Sequence, residues 1–221
     1  MDSKPNRVLG EKGTRTRSRL LAVTRAMLET VSPVQLTAAA IAQNAELSAG
    51  TFYIYFKDVQ DILYVLAADA CTALTDLYES HPHWFQDPDR LNEDAEQFVA
   101  LSESTWSEHR QILIYRNLEA DRGNERFSNL RSETASAILA RITNAAMASH
   151  PKMSQSDAYA TAVVLYAALE RICAVKYHYP QGAIRATSTD HLRKAIARMI
   201  AQQLGSSGTD GKAALRVQAK A

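Results

Sequence analysis

The sequence predicts an all-α fold of about nine helices, and three observations support this fold class. Five of the six prolines lie between segments in which apolar residues recur at helical spacing, and proline cannot continue a helix. Most of the chain lacks the alternation of apolar and polar residues that marks a half-buried strand. Apolar residues make up 46% of the 221 residues, enough for the core of one or two domains. The predicted helices span residues 14–31, 37–44, 48–55, 58–79, 88–107, 109–121, 124–148, 155–178 and 190–204.

The first predicted helix lies in the basic part of the chain. Its apolar face is formed by residues at helical spacing, namely Leu20, Val23, Met27, Leu28 and Val31. Residues 1–57 contain eight basic and four acidic residues, a local net charge of +4, whereas residues 58–221 carry a net charge of −3. Because the whole chain has a net charge of only +1, any affinity for nucleic acid must come from this uneven placement.

Two short helices are predicted next, each with a capping residue at its start. Thr37 can cap the helix over 37–44, and Ser48 can cap the helix over 48–55. The segment 44–47 between them makes a tight break. Two short helices that follow a longer amphipathic helix are typical of a helix-turn-helix. In that motif the second short helix lies in the major groove of DNA and the first crosses the backbone.

The aromatic stretch TFYIYF, residues 51–56, has strand propensity, but a helix suits its neighbourhood better. A lone strand between helices would have no partner for its backbone groups. In a helix, Phe52 and Phe56 fall on one face and pack into the core. Tyr53 and Tyr55 then project to either side of that face, where a phenolic hydroxyl can donate a hydrogen bond to phosphate.

The contacts with DNA are expected from the second short helix and from residues around it. Base contacts are expected near the start of that helix, and the capped helix starts favour phosphate. The arginines at 15, 17 and 19, ahead of the apolar face of the first helix, are expected to reach DNA as an arm; a solvated run of charges is the alternative. The predicted DNA-binding residues are Arg15, Arg17, Thr37, Ala38, Ser48, Ala49, Gly50, Thr51, Tyr53, Tyr55 and Lys57.

The later helices are also bounded by recognisable signals. Asp87 followed by Pro88 is a favourable helix start, and the segment 154–157, Ser-Gln-Ser-Asp, is similar to a capping box. Glycine clusters at 205–211, so residues 205–221 are expected to form a flexible tail, like residues 1–13 at the other end. These signals divide the chain into an arm (1–13), a DNA-binding domain (14–57), a helical domain (58–204) and a tail (205–221).

The segment 36–63, LTAAAIAQNAELSAGTFYIYFKDVQDIL, resembles the helix-turn-helix of TetR-family transcriptional regulators. The resemblance covers roughly residues 14 to 66. Two positions depart from the family pattern: Glu46 stands where the family usually has glycine in the turn, and Val59 stands where it usually has lysine. The resemblance implies a repressor that binds a roughly palindromic double-stranded DNA operator as a homodimer, and the cysteine usage and the lack of a long apolar run place it in the cytoplasm as an expectation. A small-molecule effector would release it by changing the separation of its two DNA-reading heads.

The same resemblance implies that the last helices form the dimer and enclose an effector pocket. The helix over 190–204 has an apolar stripe that includes Ile196, Met199 and Ile200, and the helix over 155–178 is apolar nearly all round, so burial inside one subunit is an alternative. LERICAVKY, residues 169–177, resembles a helix of regulators that bind elongated apolar effectors.

The predicted effector contacts are aromatic and acidic residues of otherwise apolar helices, since a buried charge needs a partner or a ligand. Ordinary core packing accounts for any one of the aromatic residues alone. The predicted contacts are Phe98, Trp106, Tyr115, Glu119, Phe127, Tyr166 and Glu170.

Other classes of protein find little support in the sequence. It has no P-loop, no GxGxxG, no GxSxG and no HExxH, so an enzyme is not expected, nor is a cofactor. His81, His83 and Cys71 could suggest a metal site, but histidines that flank a proline at a helix break indicate a surface loop, and no metal is expected. Two distant cysteines and the lack of a long apolar run favour a reducing compartment and no membrane span. A DNA-binding regulator without a small-molecule effector stays open.

Overall fold

A computed structural model describes residues 10–175 and 188–205 of the chain. All the secondary structure in these two segments is helical, which confirms the predicted fold class. Two 3-10 turns, Pro33–Gln35 and Pro88–Arg90, accompany the α-helices. The α-helices of the described segments are α1 (Glu11–Met27), α2 (Ala38–Asn44), α3 (Ala49–Tyr55), α4 (Val59–Glu79), α5 (Leu91–Asp121), α6 (Glu125–Ser149), α7 (Gln155–Val175) and α8 (Thr189–Leu204).

The ends of α1 differ from the predicted ones. The helix begins at Glu11, so residues 11–13, which were predicted to belong to a flexible arm, are helical. It ends at Met27 instead of residue 31, because the chain turns and then becomes extended at Ser32, the residue before a proline. The rest of the predicted arm, residues 1–9, lies outside the described residues. So do residues 176–178 of the predicted helix over 155–178 and residues 206–221 of the predicted tail.

The segments 88–107 and 109–121, predicted as separate helices, fall within the 3-10 turn Pro88–Arg90 and α5. A kink divides α5 into two helical parts, because His109 has φ −122° and ψ 15°, which are not helical values. The kink lies where the second predicted segment begins, so the predicted division of this stretch is confirmed. With α5 counted as one helix, the described chain has eight α-helices where about nine were predicted.

The chain divides into two compact units. The first unit runs through Ala70 and includes Gln111–Ser128, and the second comprises Cys71–Arg110 and the chain from Asn129 onwards. The first unit therefore contains more of the chain than the predicted DNA-binding segment 14–57. The functional domain limits at 57/58 and 204/205 stay predictions.

The core of the first unit is built around the aromatic pair of α3. Phe52 is fully buried and Phe56 nearly so, with ring centroids 5.7 Å apart. Leu20 of α1 and Ile41 of α2 are also fully buried in this unit. Helix α2 packs against both α1 and α3. The inward orientation predicted for Phe52 and Phe56 is confirmed.

A second aromatic cluster in the first unit joins the start of α4 to the end of α5 and the start of α6. Phe127 is fully buried, and the rings of Tyr64 and Tyr115 both meet it edge-on, at 5.3 and 5.6 Å. The guanidinium of Arg126 lies 4.0 Å from the centre of the Tyr64 ring. Burial raises the pKa of the Tyr115 phenol above its ordinary value.

The second unit has its own aromatic core. Phe98 is fully buried and contacts the rings of Tyr78, Trp84 and Phe85. Burial raises the pKa of the Tyr78 phenol, so this side chain stays neutral. The Arg141 side chain donates hydrogen bonds to the carbonyl oxygens of Tyr78, at 2.9 Å, and of residue 81, at 2.8 Å, and so satisfies carbonyls at the end of α4.

Within the described residues, no helix combines the length and the apolar character that crossing a bilayer requires.

Candidate nucleic-acid interface

The start of α2 and the start of α3 are both capped as the sequence predicted. The Thr37 hydroxyl accepts a hydrogen bond from the Ala40 amide at 3.1 Å. The Ser48 hydroxyl accepts one from the Thr51 amide at 3.1 Å, and it lies 2.9 Å from the Thr51 hydroxyl. These caps fix where each short helix begins, and they therefore set which side chains of α3 face outward.

One face of α3 is exposed along its whole length. The exposed residues recur at helical spacing: Ala49, Gly50, Tyr53, Ile54 and, just beyond the helix, Lys57. Tyr53 is 52% exposed although its ring meets that of buried Phe52 edge-on at 5.4 Å. The prediction that Tyr53 faces outward is confirmed.

Ile54 was not among the predicted contacts, yet it is 65% exposed. The signal was present in the sequence, because Ile54 lies one helical turn after Gly50 and beside Tyr53 on the same face. An exposed isoleucine on this face can make an apolar contact with the methyl group of a thymine in the major groove.

Three predicted contact residues are less accessible than expected. Ala38 is buried. Thr51 is half-buried, with its hydroxyl next to that of Ser48. Tyr55 is also half-buried, because it follows Phe52 by three residues and so turns part of its ring towards the core. Tyr55 is therefore less exposed than Tyr53, although both were predicted to face outward.

The predicted arginine arm is part of α1, and each of its side chains has a partner within the first unit. Arg15 pairs with Glu11 at 2.9 Å, one helical turn away. Arg17 lies over the Phe56 ring, 5.2 Å from its centre. Arg19 pairs with the Glu46 carboxylate. Arg17 therefore lies near the end of α3, and Arg19 lies near its start.

The turn between α2 and α3 is held in an unusual backbone conformation. Glu46 has φ 54°, in the left-handed region, which costs about 1–2 kcal/mol for a residue with a side chain. The Glu46 amide donates to the Gln43 carbonyl at 3.0 Å, and the Leu47 amide donates to the Ala42 carbonyl at 2.9 Å. This is the Schellman pattern of hydrogen bonds that ends many helices, and glycine usually occupies the left-handed position.

The seven predicted effector contacts are divided between the two units. Tyr115, Glu119 and Phe127 belong to the first unit. The Glu119 carboxylate accepts a hydrogen bond from the Gln60 side chain at 2.8 Å and pairs with Arg122 at 3.3 Å. These partners account for the charge of Glu119 without a ligand, so the reasoning that singled it out does not hold.

The other four predicted contacts, Phe98, Trp106, Tyr166 and Glu170, belong to the second unit. The first three are buried, and the Tyr166 hydroxyl lies 3.4 Å from that of Tyr78. Phe98 is part of the aromatic core of this unit, as the alternative of ordinary core packing anticipated.

A groove of about 610 Å³ lies between α6 and α7 in the second unit. Of the seven predicted effector contacts, Tyr166 and Glu170 line this groove. Its other side is formed by residues of α6 that the sequence did not single out, among them Arg131, Leu139 and Thr143. Small and hydroxylated residues at helical spacing on α6 were the available signal.

No family model and no curated protein matches this sequence. Solved structures match over most of the chain. The TetR-family regulator PfmR of Thermus thermophilus superimposes with a TM-score of 0.59 at 15% identity, covering 83% of this chain and 97% of its own. A putative TetR-family regulator from Syntrophomonas wolfei gives a TM-score of 0.60 at 14% identity, covering 89% and 99%. The fold is that of TetR-family transcriptional regulators.

The fatty acid degradation regulator FadR of Bacillus halodurans is similar to the same degree, with a TM-score of 0.60 at 15% identity and coverage of 95% and 99%. The TetR fold agrees with the helix-turn-helix predicted from residues 36–63, since α2 and α3 are the two short helices of that segment.

Proposed function

We propose that the chain is a DNA-binding transcriptional regulator that reads duplex DNA with α3. The proposal rests on the exposed face of α3 in a chain with the TetR fold. The buried side chains of Phe52 and Phe56 anchor α3 on the opposite side and so keep this face outward. The basic side chains of Arg17 and Lys57 lie at the end of α3, and Arg19, paired with Glu46, lies near its start. Phosphate contacts by such residues position a helix in the groove, and base contacts give it specificity.

Tyr53→Phe is expected to weaken duplex binding about tenfold, because it removes a hydroxyl that can donate a hydrogen bond to charged phosphate. The ring of Tyr53 is half exposed and stays in place, so stability should change by no more than about 0.5 kcal/mol. Gel shifts over a salt series, with duplexes selected from random sequence, measure the effect. Affinity should fall steeply with salt.

Tyr159→Phe is the matched control, since Tyr159 of α7 is also 52% exposed but belongs to the second unit. It should bind duplex like the wild type. Duplex binding that is absent, or insensitive to salt, would remove the regulator proposal.

The regulator is further proposed to act as a homodimer on a palindromic operator. Helix α7 carries three exposed apolar residues: Tyr159 and Val163, which are one helical turn apart, and Val164. The predicted stripe on α8 contributes less than expected, because Ile196 and Ile200 are buried within the second unit and Met199 is exposed. The proposed interface is therefore Val164 of α7 together with Met199, since Tyr159 and Val163 line the groove between α6 and α7.

The proposed effector is a small, largely apolar molecule, and its binding would release the DNA in the manner of a repressor. The groove between α6 and α7 supports this, because alanine, leucine and valine residues line it together with Tyr166 and Glu170. One of the similar structures is a fatty acid degradation regulator, which makes fatty acids the first probes.

A thermal-shift series with fatty acids of increasing chain length tests this effector proposal. Binding to the folded chain is expected to raise Tm with concentration and to release the duplex. The variant Ala140→Trp, which fills the groove from α6, should lose the Tm shift while it still binds DNA. If no apolar probe raises Tm, the chain is a regulator without this class of effector. As a regulator of transcription it is proposed to act in the cytoplasm, without catalytic activity.

A further inference from the structure

We propose that Glu46 masks Arg19 and so removes one phosphate contact from the DNA-binding surface of each subunit. The inference rests on the proposed DNA-binding function and adds to it a residue that limits sequence-independent affinity. Three features of the first unit support it: the ion pair itself, the backbone at Glu46, and the place of the pair beside α3.

The ion pair joins parts of the chain that are far apart in sequence. The Arg19 guanidinium of α1 donates a hydrogen bond to the Glu46 carboxylate, 27 residues later. The side chain of Arg19 is 48% exposed and that of Glu46 is 80% exposed, so solvent and ligands can reach both groups. A phosphate that approaches Arg19 therefore competes with a carboxylate already in place.

The backbone shows that the pair is not explained by stability. Glu46 adopts φ 54° at the position of a Schellman turn where glycine carries no strain. An ion pair this exposed contributes little to folding, less than the left-handed conformation costs. Glycine at this position would therefore favour the fold more than glutamate does. The interaction that the Glu46 side chain makes instead is the ion pair with Arg19.

The pair lies beside the part of α3 that is proposed to enter the groove. Glu46 precedes Ser48, the cap of α3, by two residues, a span of at most about 7 Å along the chain. A cation at this place lies close to any phosphate that flanks the start of α3. Sequence-independent affinity comes mainly from such contacts, so neutralising one of them lowers binding to DNA of all sequences.

The test is a double-mutant cycle on Arg19 and Glu46, with a random-sequence duplex of about 30 base pairs as the probe. Glu46→Gln should raise the affinity and steepen the plot of log K against log salt by about 0.9 for each phosphate gained, one per bound subunit. Arg19→Gln should have a small effect in the wild type and a larger one in the Glu46→Gln chain. The double variant should return to the wild-type slope.

Two further variants separate masking from other effects. Glu29→Gln removes an exposed carboxylate of the same unit and controls for net charge; its salt slope should stay near that of the wild type. Glu46→Gly removes both the charge and the left-handed strain, so it should share the slope of Glu46→Gln and have a higher Tm.

The outcomes distinguish this inference from the proposed function. Equal slopes for Glu46→Gln and Glu29→Gln, or the same effect of Arg19→Gln in both backgrounds, would overturn the masking while wild-type binding remained. A wild-type chain that bound the duplex without salt dependence would instead overturn the DNA-binding function, and the masking with it.

Discussion

Phe52→Ala is expected to lower the free energy of unfolding of the first unit by about 3–5 kcal/mol. The Phe52 side chain is fully buried, and its ring contacts those of Phe56 and Tyr53. Truncation removes most of that apolar surface and leaves a cavity, because the packed neighbours can only partly fill it. Urea denaturation followed by circular dichroism measures the change, and a fluorescence label on the first unit assigns it to that unit.

Ile54→Ala is the matched control for Phe52→Ala. It also truncates a large apolar side chain of α3, but Ile54 is 65% exposed, so the change in unfolding free energy should be within about 0.5 kcal/mol. On DNA, Ile54→Ala should reduce duplex affinity through the loss of a contact with thymine. A similar loss of stability in both variants would contradict the orientation of α3.

The DNA-reading face could be predicted because local signals agree with one another. Thr37 and Ser48 are capping residues, and both accept the hydrogen bonds that caps make. The spacing of Phe52 and Phe56 placed them on one helical face, and both are buried. Each of these features depends on residues within one or two helical turns, which the sequence displays directly.

The partners of long side chains could not be predicted in the same way. Arg17 and Arg19 were predicted to form a basic arm, but one lies over Phe56 and the other pairs with Glu46, 27 residues away. A flexible side chain can reach several groups, and which one it meets depends on how α1 packs within the first unit. The charge of such a residue can be read from the sequence, but its partner cannot.

The effector contacts were the least predictable part of the site. A carboxylate in an apolar helix was expected to need a partner or a ligand, and Glu119 has its partners, Gln60 and Arg122, within its own unit. A sequence shows that a charge lies in an apolar helix, but the identity of its partner is a property of the tertiary structure. Tyr166 and Glu170 line the groove beside α6, and their role as effector contacts stays a prediction.

The proposed dimer interface also depends on the tertiary structure, because the sequence does not show which apolar helix faces are buried within one subunit. An apolar stripe on α8 and an apolar α7 both suited an interface, and a helix buried inside one subunit was the alternative. Much of the α8 stripe is buried against its own unit, whereas α7 keeps Val164 64% exposed. The exposed side chain of Val164 leaves apolar surface on α7 that a second copy of the chain can cover.

Val164→Asp is therefore expected to separate the proposed dimer and to weaken binding to a two-site operator by about 100-fold or more. A carboxylate in the centre of an apolar interface loses its hydration without gaining a partner, so the association is disfavoured. A monomer then binds each half-site alone and loses the effective concentration that the second head supplies. Sedimentation velocity measures the mass of the particle, and gel shifts on operators with one and two half-sites measure the affinity.

Met147→Asp on α6 is the control for Val164→Asp, since it adds the same charge at an exposed apolar residue outside the proposed interface. It should sediment and bind like the wild type. Val164→Asp should keep its affinity for a single half-site, because α3 belongs to the first unit and is unchanged. If Val164→Asp stays dimeric with full operator affinity, Val164 of α7 is not part of the interface between subunits.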